Sequence, residues 1–369
     1  MNLCDLAPSN IRSIAPYQPG KPISELAREF GLDEKNIIKL ASNENPLGVS
    51  PKARAAIRAV LDGLALYPDG NGFELKSALS RHLGVGMNQL VLGNGSNDVL
   101  ELAARAFLAP SNSAVYAQHA FAVYPLAVQG IGATGIEAPA KNFGHDLDAM
   151  RAVIRADTRV VFLANPNNPT GTFVPAAEIE RFIAGVPAQV LIVLDEAYNE
   201  YLKPELRADS VGWLKKYPNL LITRTFSKVY GLAGLRVGYA VGSVGVADMM
   251  NRVRQPFNVN SISLAAAAAA LDDHDFVNKS YELNRAGMAQ LTAGLRQLGL
   301  EFIPSFANFV TFKVNNAKGV DLALLKAGVI VRPIAGYGLP DWLRVSIGME
   351  SENVRFLASL KAAIATSAA

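Results

Sequence analysis

Only one cysteine, Cys4, occurs in the 369 residues of the chain, so no internal disulfide and no cysteine metal cluster can form. Histidine is almost as sparse. His82, His119, His145 and His274 stand far apart and show no metal-ligand spacing. Charged residues make up 18% of the chain, and 35 basic side chains nearly balance 32 acidic ones. The basic residues are scattered, which argues against a nucleic-acid surface. Long apolar runs are missing too. The longest, Leu264 to Leu271, is mostly alanine and falls well below the roughly 20 residues of a membrane span. Met1 to Leu6 show neither a basic leader nor an apolar signal core. These absences lead to the expectation of a cytoplasmic protein without metal, membrane or nucleic-acid partners.

Core-forming residues, by contrast, are plentiful. Half the chain is hydrophobic, enough for a large core, a smaller second one and a subunit interface. Residues 1–35 read as a proline-punctuated arm with a short helical pattern at Ser24–Phe30. Over 36–262, short apolar runs alternate with helical stretches, the pattern of a mostly parallel α/β sheet flanked by helices. Strands are expected at Leu90–Leu92, Ser113–Tyr116, Arg159–Ala164, Val190–Leu194, Leu220–Thr223 and Val237–Val241. Helices are expected at Asp98–Leu108, capped by Ser96-Asn97, and at Asp146–Ile154 and Pro175–Ile183. Residues 263–369 read as a smaller α+β domain. It starts with the alanine-rich helix and a long helix at Phe276–Leu298, and its strands are expected at Asn308–Val314, Val329–Pro333 and Trp342–Ile347.

Two of the apolar runs end in ionisable residues. One leads to Asp195-Glu196-Ala197-Tyr198, the other to Thr225-Phe226-Ser227-Lys228, with Arg236 just beyond. A buried lysine, or one beside a cation such as Arg236, loses its proton more readily and becomes nucleophilic toward carbonyls. A carboxylate at the mouth of a buried strand is costly unless it is paired, and a protonated ring nitrogen would pair Asp195. An imine-forming lysine, a ring-facing acid and a phosphate-binding arginine are the parts a pyridoxal-phosphate enzyme needs. Tyr198 lies one short turn past Asp195, within reach of the ring oxygen. Asn165-Pro166-Asn167-Asn168-Pro169-Thr170-Gly171 is a stiff turn able to hold an amide, that of Asn168, against the same oxygen.

Gly93-Asn94-Gly95-Ser96-Asn97-Asp98 joins a strand to a helix whose free N–H groups suit a phosphate. It is not a dinucleotide fingerprint, because the third glycine position holds Asp98, and no Walker lysine follows. The expected cup takes a single phosphate, held by the Ser96 and Asn97 backbone, the Ser227 hydroxyl and Arg236. Ligands of open α/β sheets bind at this edge.

Together these motifs resemble the fold type I pyridoxal-phosphate aminotransferases of class I/II, and within them the histidinol-phosphate aminotransferase family. Ala41–Gly48, Leu66–Gly70, Gln255–Asn260 and Trp342–Gly348 extend the likeness over nearly the whole chain. The resemblance implies pyridoxal 5'-phosphate as cofactor and Lys228, Asp195 and Tyr198 as catalytic residues. Phe121 would stack on the pyridine, where many members carry tyrosine. Thr225 belongs to the matched cofactor segment. Tyr67 would reach the phosphate of the neighbouring subunit, which implies a homodimer with shared sites. Arg344 would bind the anionic group of the substrate, with Tyr17, Asn45, Asn308 and Arg332 nearby. The implied reaction transfers an amino group between L-histidinol phosphate and 2-oxoglutarate. An aromatic or broad-specificity aminotransferase, or a phospho-amino-acid decarboxylase, would use a similar scaffold.

Overall fold

The structure, a computed structural model, describes residues 2–367. Met1, Ala368 and Ala369, the outermost positions of the expected arm and small domain, lie outside the described residues.

A seven-stranded sheet forms the centre, in the order Leu90–Gly93, Gly238–Gly242, Leu220–Thr225, Leu191–Asp195, Thr158–Ala164, Ser113–Ala117 and Thr134–Ala138. All neighbours run parallel except Gly238–Gly242, which is antiparallel to both strands beside it. Helices cover both faces, so successive residues of one strand enter different cores. Val161 and Leu163 pack on one side with Ile192, Leu194 and Ile222, whereas Val160 and Phe162 pack on the other with Leu191, Val193 and Leu221. Burial on both faces explains why these strands read as unbroken apolar runs. Each such side chain contributes about 1.5–3 kcal/mol through burial.

A four-stranded antiparallel sheet, in the order Phe302–Ile303, Phe309–Lys313, Trp342–Ser346 and Arg332–Pro333, carries a third core with the long helix His274–Gln297 and the closing helix Glu350–Ser367.

Three expectations need correction. The alanine-rich helix, Ser261–Leu271, packs on Pro51–Val60 and Phe73–Leu83 within the large core, because small side chains let helices approach closely. The second core therefore begins with the long helix. At the other boundary, Ile38–Lys39 pairs in parallel with Val329–Ile330, so the start of the expected large domain is tied to the small one. The helix expected from Asp98 starts at Ser96 with Gly95 as its cap, so Ser96 and Asn97 lie in its first turn rather than ahead of it.

Candidate active site

Leu90–Gly93, Ser113–Ala117, Thr158–Ala164, Leu191–Asp195 and Leu220–Thr225 all lead at their C-terminal ends to residues that line one cavity. Gly238–Gly242 runs the other way, and its N-terminal residue Gly238 sits opposite Gly93 and Thr225. That reversal brings Arg236, two residues before the strand, to the edge where Ser96 and Ser227 lie. Gly95 adopts φ +86° and makes no side-chain cap, so the first-turn N–H groups stay open to a ligand. A Cβ at Gly95 would collide with the Arg236 guanidinium, which needs that space to reach the helix N-terminus. Arg236 Nη1 donates to Ala233 O (3.1 Å) and lies 3.5 Å from Ser227 Oγ. Thr225 Oγ1 accepts from Ser227 N (3.1 Å), fixing the turn that presents Lys228.

Lys228 and Asp195 face the same cavity. Lys228 Nζ donates to Ser42 O (3.2 Å) and stands 5.7 Å from the centre of the Tyr198 ring. Burial first, then the Arg344 charge and further off that of Arg236, bring its pKa down to about 8, against an opposing pull from Glu44. Burial likewise raises the pKa of Asp195, although its carboxylate accepts from Tyr124 Oη (2.8 Å) and Ala197 N (3.2 Å). No lysine or arginine pairs with it among the described residues. Tyr198, pushed up to about 12 mainly by burial, is a neutral phenol whose oxygen accepts from Asn43 Nδ2 (2.9 Å).

Arg344 lies in the middle of the Trp342–Ser346 strand, in register with Arg332 on the neighbouring strand. Its Nη1 donates to Asn168 Oδ1 and its Nη2 to Ala41 O (2.9 Å). Nε is buried and has no partner, and no carboxylate pairs with this guanidinium among the described residues. A buried, unpaired cation beside a cavity suits an incoming anion. Arg332 donates from Nη2 to Gln18 O (2.6 Å) and stacks on Tyr17, 5.3 Å from the ring centre. That contact lays the proline-rich arm across the mouth of the cavity.

The cavity lining includes Tyr17, Ser96, Asn97, Phe121, Asn168, Asp195, Tyr198, Thr225, Ser227, Lys228, Arg236, Arg332 and Arg344 from the sequence reading. Three expected residues do not line it. Asn45 spends Nδ2 on Val229 O and Ser280 Oγ (both 2.8 Å) and Oδ1 on Leu47 N (3.0 Å), so it ties the chain to the lysine loop instead of facing a ligand. Asn308 is buried and donates to Asn43 O (3.0 Å). Tyr67 is 82% exposed and stacks on Phe257. Asn43, Tyr124 and Tyr337 also line the cavity and went unnoticed in the sequence. Asn43, two residues before Asn45, has φ +56°; asparagine tolerates that conformation better than most residues.

The residues fit pyridoxal phosphate. Among the described residues the buried acid has no cation partner, Lys228 has its pKa lowered to about 8, and a helix start without a side-chain cap lies beside Arg236, which pairs with no carboxylate and suits one phosphate. Fold and site together define a fold type I pyridoxal-phosphate transaminase. The model of the family "Aminotransferase class I and II" matches residues 35–359. Histidinol-phosphate aminotransferase 2 of Nitrosospira multiformis is 64% identical over 367 residues, covering 99% of this chain and 94% of its own. Histidinol-phosphate aminotransferase 1 of Dechloromonas aromatica is 62% identical, covering 99% of this chain and 100% of its own. Among solved structures, the histidinol-phosphate aminotransferase of Sinorhizobium meliloti in complex with pyridoxal-5'-phosphate superposes with a TM-score of 0.89 at 28% identity, covering 97% of each chain. The chain belongs to the class I and II aminotransferases and, within them, to the histidinol-phosphate aminotransferase family.

Proposed function

We propose that this protein transfers an amino group between L-histidinol phosphate and 2-oxoglutarate in histidine biosynthesis. The observation that carries the reading is the convergence of Lys228, Asp195 and the unpaired Arg344 on one cavity. Bound pyridoxal phosphate supplies the electron sink that weakens the Cα–H bond of the amino donor.

The protein's own groups do the rest. Lys228, its pKa lowered to about 8, would act as the general base that takes the Cα proton of the amino donor. With the cofactor bound, Asp195 would pair with the ring nitrogen and favour its protonated form, Tyr198 and Asn168 would hold the ring oxygen, and Phe121 would pack on the ring. First-turn N–H groups at Ser96 and Asn97, with Ser227 and Arg236, would hold its phosphate. One donor carries a phosphate and the acceptor carries carboxylates. A guanidinium fork accepts either anion, so Arg344 serves both half-reactions, with Arg332 and Tyr17 at the mouth.

A homodimer with shared sites is supported by a cluster of large apolar side chains left in water. Leu66 and Tyr67 are 75% and 82% exposed, and the Tyr67–Phe257 stack lies among them. Tyr67 then reaches the partner's phosphate cup. We divide the chain into an arm (1–35), a large domain (from 36) and a small domain. The alanine-rich helix belongs to the large side, and the Ile38–Lys39 strand reaches across. No helix among the described residues is long and apolar enough to cross a membrane, and a cytoplasmic setting is proposed.

The test is the purified protein with pyridoxal phosphate, 2-oxoglutarate and a panel of amino donors: histidinol phosphate, phenylalanine and O-phosphothreonine. Glutamate should form fastest with histidinol phosphate. Equal turnover of phenylalanine would replace this reading with an aromatic aminotransferase, and release of carbon dioxide with a decarboxylase.

A further inference from the structure

Tyr124 is fully buried, yet its hydroxyl is not spent on the backbone. It donates to Asp195 Oδ2 at 2.8 Å. Its ring lies parallel to Phe162, 4.9 Å between centres and 8° between planes, which fixes its position against the sheet. The same ring meets Phe121 edge-on at 5.9 Å and 87°. Phe121 and Tyr124 stand one turn apart, joined by a hydrogen bond from Tyr124 N to Phe121 O (3.0 Å). One side chain thus contacts both the aromatic ring expected over the pyridine and the acid expected at its nitrogen, although the two come from different strand ends.

We propose that Tyr124 is the positioning residue of the cofactor's ring site, bracing Phe121 through its edge and holding the Asp195 carboxylate in one orientation through its hydroxyl. The inference rests on the reading of Asp195 as the partner of the ring nitrogen. A buried carboxylate needs donors to stay ionised. Asp195 accepts from the Ala197 N–H and from this phenol, a charge-assisted bond of the stronger kind, and the nearby Thr223 hydroxyl also favours its carboxylate. The other titratable groups around it are Glu196 and Tyr198 on its own turn and Lys228 from the loop after the adjacent strand, with Tyr337 closing on the two phenols. Glu196 opposes ionisation of Asp195, and its own charge is taken up by Arg224. Tyr124 is therefore the one phenol that donates directly to the acid.

Tyr124→Phe keeps both ring contacts and removes only the hydroxyl. Titration of apo-protein with pyridoxal phosphate, followed by visible absorbance between about pH 5.5 and 9, should show affinity about tenfold weaker on the acid limb and little changed on the plateau above it. The acid limb of binding should move up by about one pH unit, which corresponds to that factor of ten. In an Asp195→Asn background the same change should have no further effect, because the hydroxyl acts through the carboxylate. Phe162→Leu, which loosens the tyrosine's packing and leaves its hydroxyl, should lower the melting temperature without moving the acid limb. An unchanged limb in Tyr124→Phe would overturn the proposal. So would equal weakening in the Asp195→Asn background, or a limb shifted as far by Phe162→Leu. Failure of the wild-type protein to bind pyridoxal phosphate would instead overturn the reading of the site itself.

Discussion

Arg344 Nη1 donates to Asn168 Oδ1, so a strand in the middle of the small sheet holds a turn at the edge of the central one. Asn168 accepts there through its oxygen, which leaves its amide NH₂ free to donate into the cavity. Arg344 thereby couples an anion site to the amide proposed to address the cofactor's ring oxygen. Arg344→Lys removes the fork and this link together. The kcat/KM for histidinol phosphate should fall by about 100-fold or more, in line with losing one partner of a buried charge pair. Cofactor affinity should change far less. Steady-state kinetics and cofactor titration of the same variant check both parts.

Lys228 links function to stability. Its folded pKa, near 8, lies below its usual 10.5. Between those values the unfolded chain binds the extra proton, so burial of this lysine destabilises the apo-protein fully below about pH 8, and the penalty is gone above about pH 10.5. Lys228→Met should therefore stabilise the apo-protein at pH 7, by on the order of 1–3 kcal/mol, with the gain vanishing toward pH 10.5. Urea denaturation across that range measures it. The variant should also lose nearly all transamination and the visible band of bound cofactor.

Glu196 and Arg224 form a buried pair, Oε2 to Nη2 at 2.8 Å and to Nε at 2.9 Å. The pair lies beside Asp195, and its two charges are spent on each other. Removing one charge leaves the other uncompensated, so Arg224→Met should cost about 3–5 kcal/mol. Replacing both residues with apolar ones of similar size should restore most of that loss. Denaturation midpoints of the single and double variants decide the matter.

Gly95→Ala should weaken cofactor binding without unfolding the chain. The new Cβ meets the Arg236 guanidinium, the flexible end of a long side chain, and sits at φ +86°. A rise of about tenfold in the dissociation constant of pyridoxal phosphate is expected, because the Cβ displaces the Arg236 guanidinium from the helix start, while the backbone strain in this glycine-only region, roughly 1–3 kcal/mol, lowers stability. Free pyridoxal, which lacks the phosphate, should lose much less.

If sites are shared, Tyr67→Ala and Lys228→Ala homodimers should each be nearly inactive. Mixed dimers of the two should regain one working site per dimer. Activity after co-refolding, read against the mixing ratio, tests this. A mixture that stays as inactive as its parents would leave Tyr67 as an exposed tyrosine stacked on Phe257.

Much of the central sheet was legible because strands buried on both faces become continuous apolar runs. Thr158–Ala164 and Leu191–Asp195 fall within one residue of expectation. Thr134–Ala138 was not legible. It is an edge strand with a glycine, a glutamate and mostly exposed positions, so burial left no pattern in it. Pro51–Val60 carries its stripe on Ala53, Ala56, Ile57 and Val60, but two of the four are alanine and only Ala53 is buried, so the stripe is faint in the sequence. Among site residues, those in chemically unusual runs, Lys228, Asp195 and the Asn168 turn, stood out. Tyr124 did not, because an aromatic in an apolar helix looks like core until the acid 71 positions away is brought against it. Asn43 and Asn45 share one short motif, and only tertiary packing decides which amide faces the cavity.

By itself the sequence determined the chemistry. Residues able to form an imine, pair a ring nitrogen and bind one phosphate follow apolar runs that burial forces into strands, so their place at strand ends is written locally. Tertiary structure alone decided which way Gly238–Gly242 runs, and with it that Arg236 lands beside Ser96 rather than across the sheet. It also decided that Arg344 meets Asn168 and Tyr124 meets Asp195. Direction and distant pairing depend on how faces pack and on which polar groups then lie close enough to satisfy one another, and no stretch of chain carries that information alone.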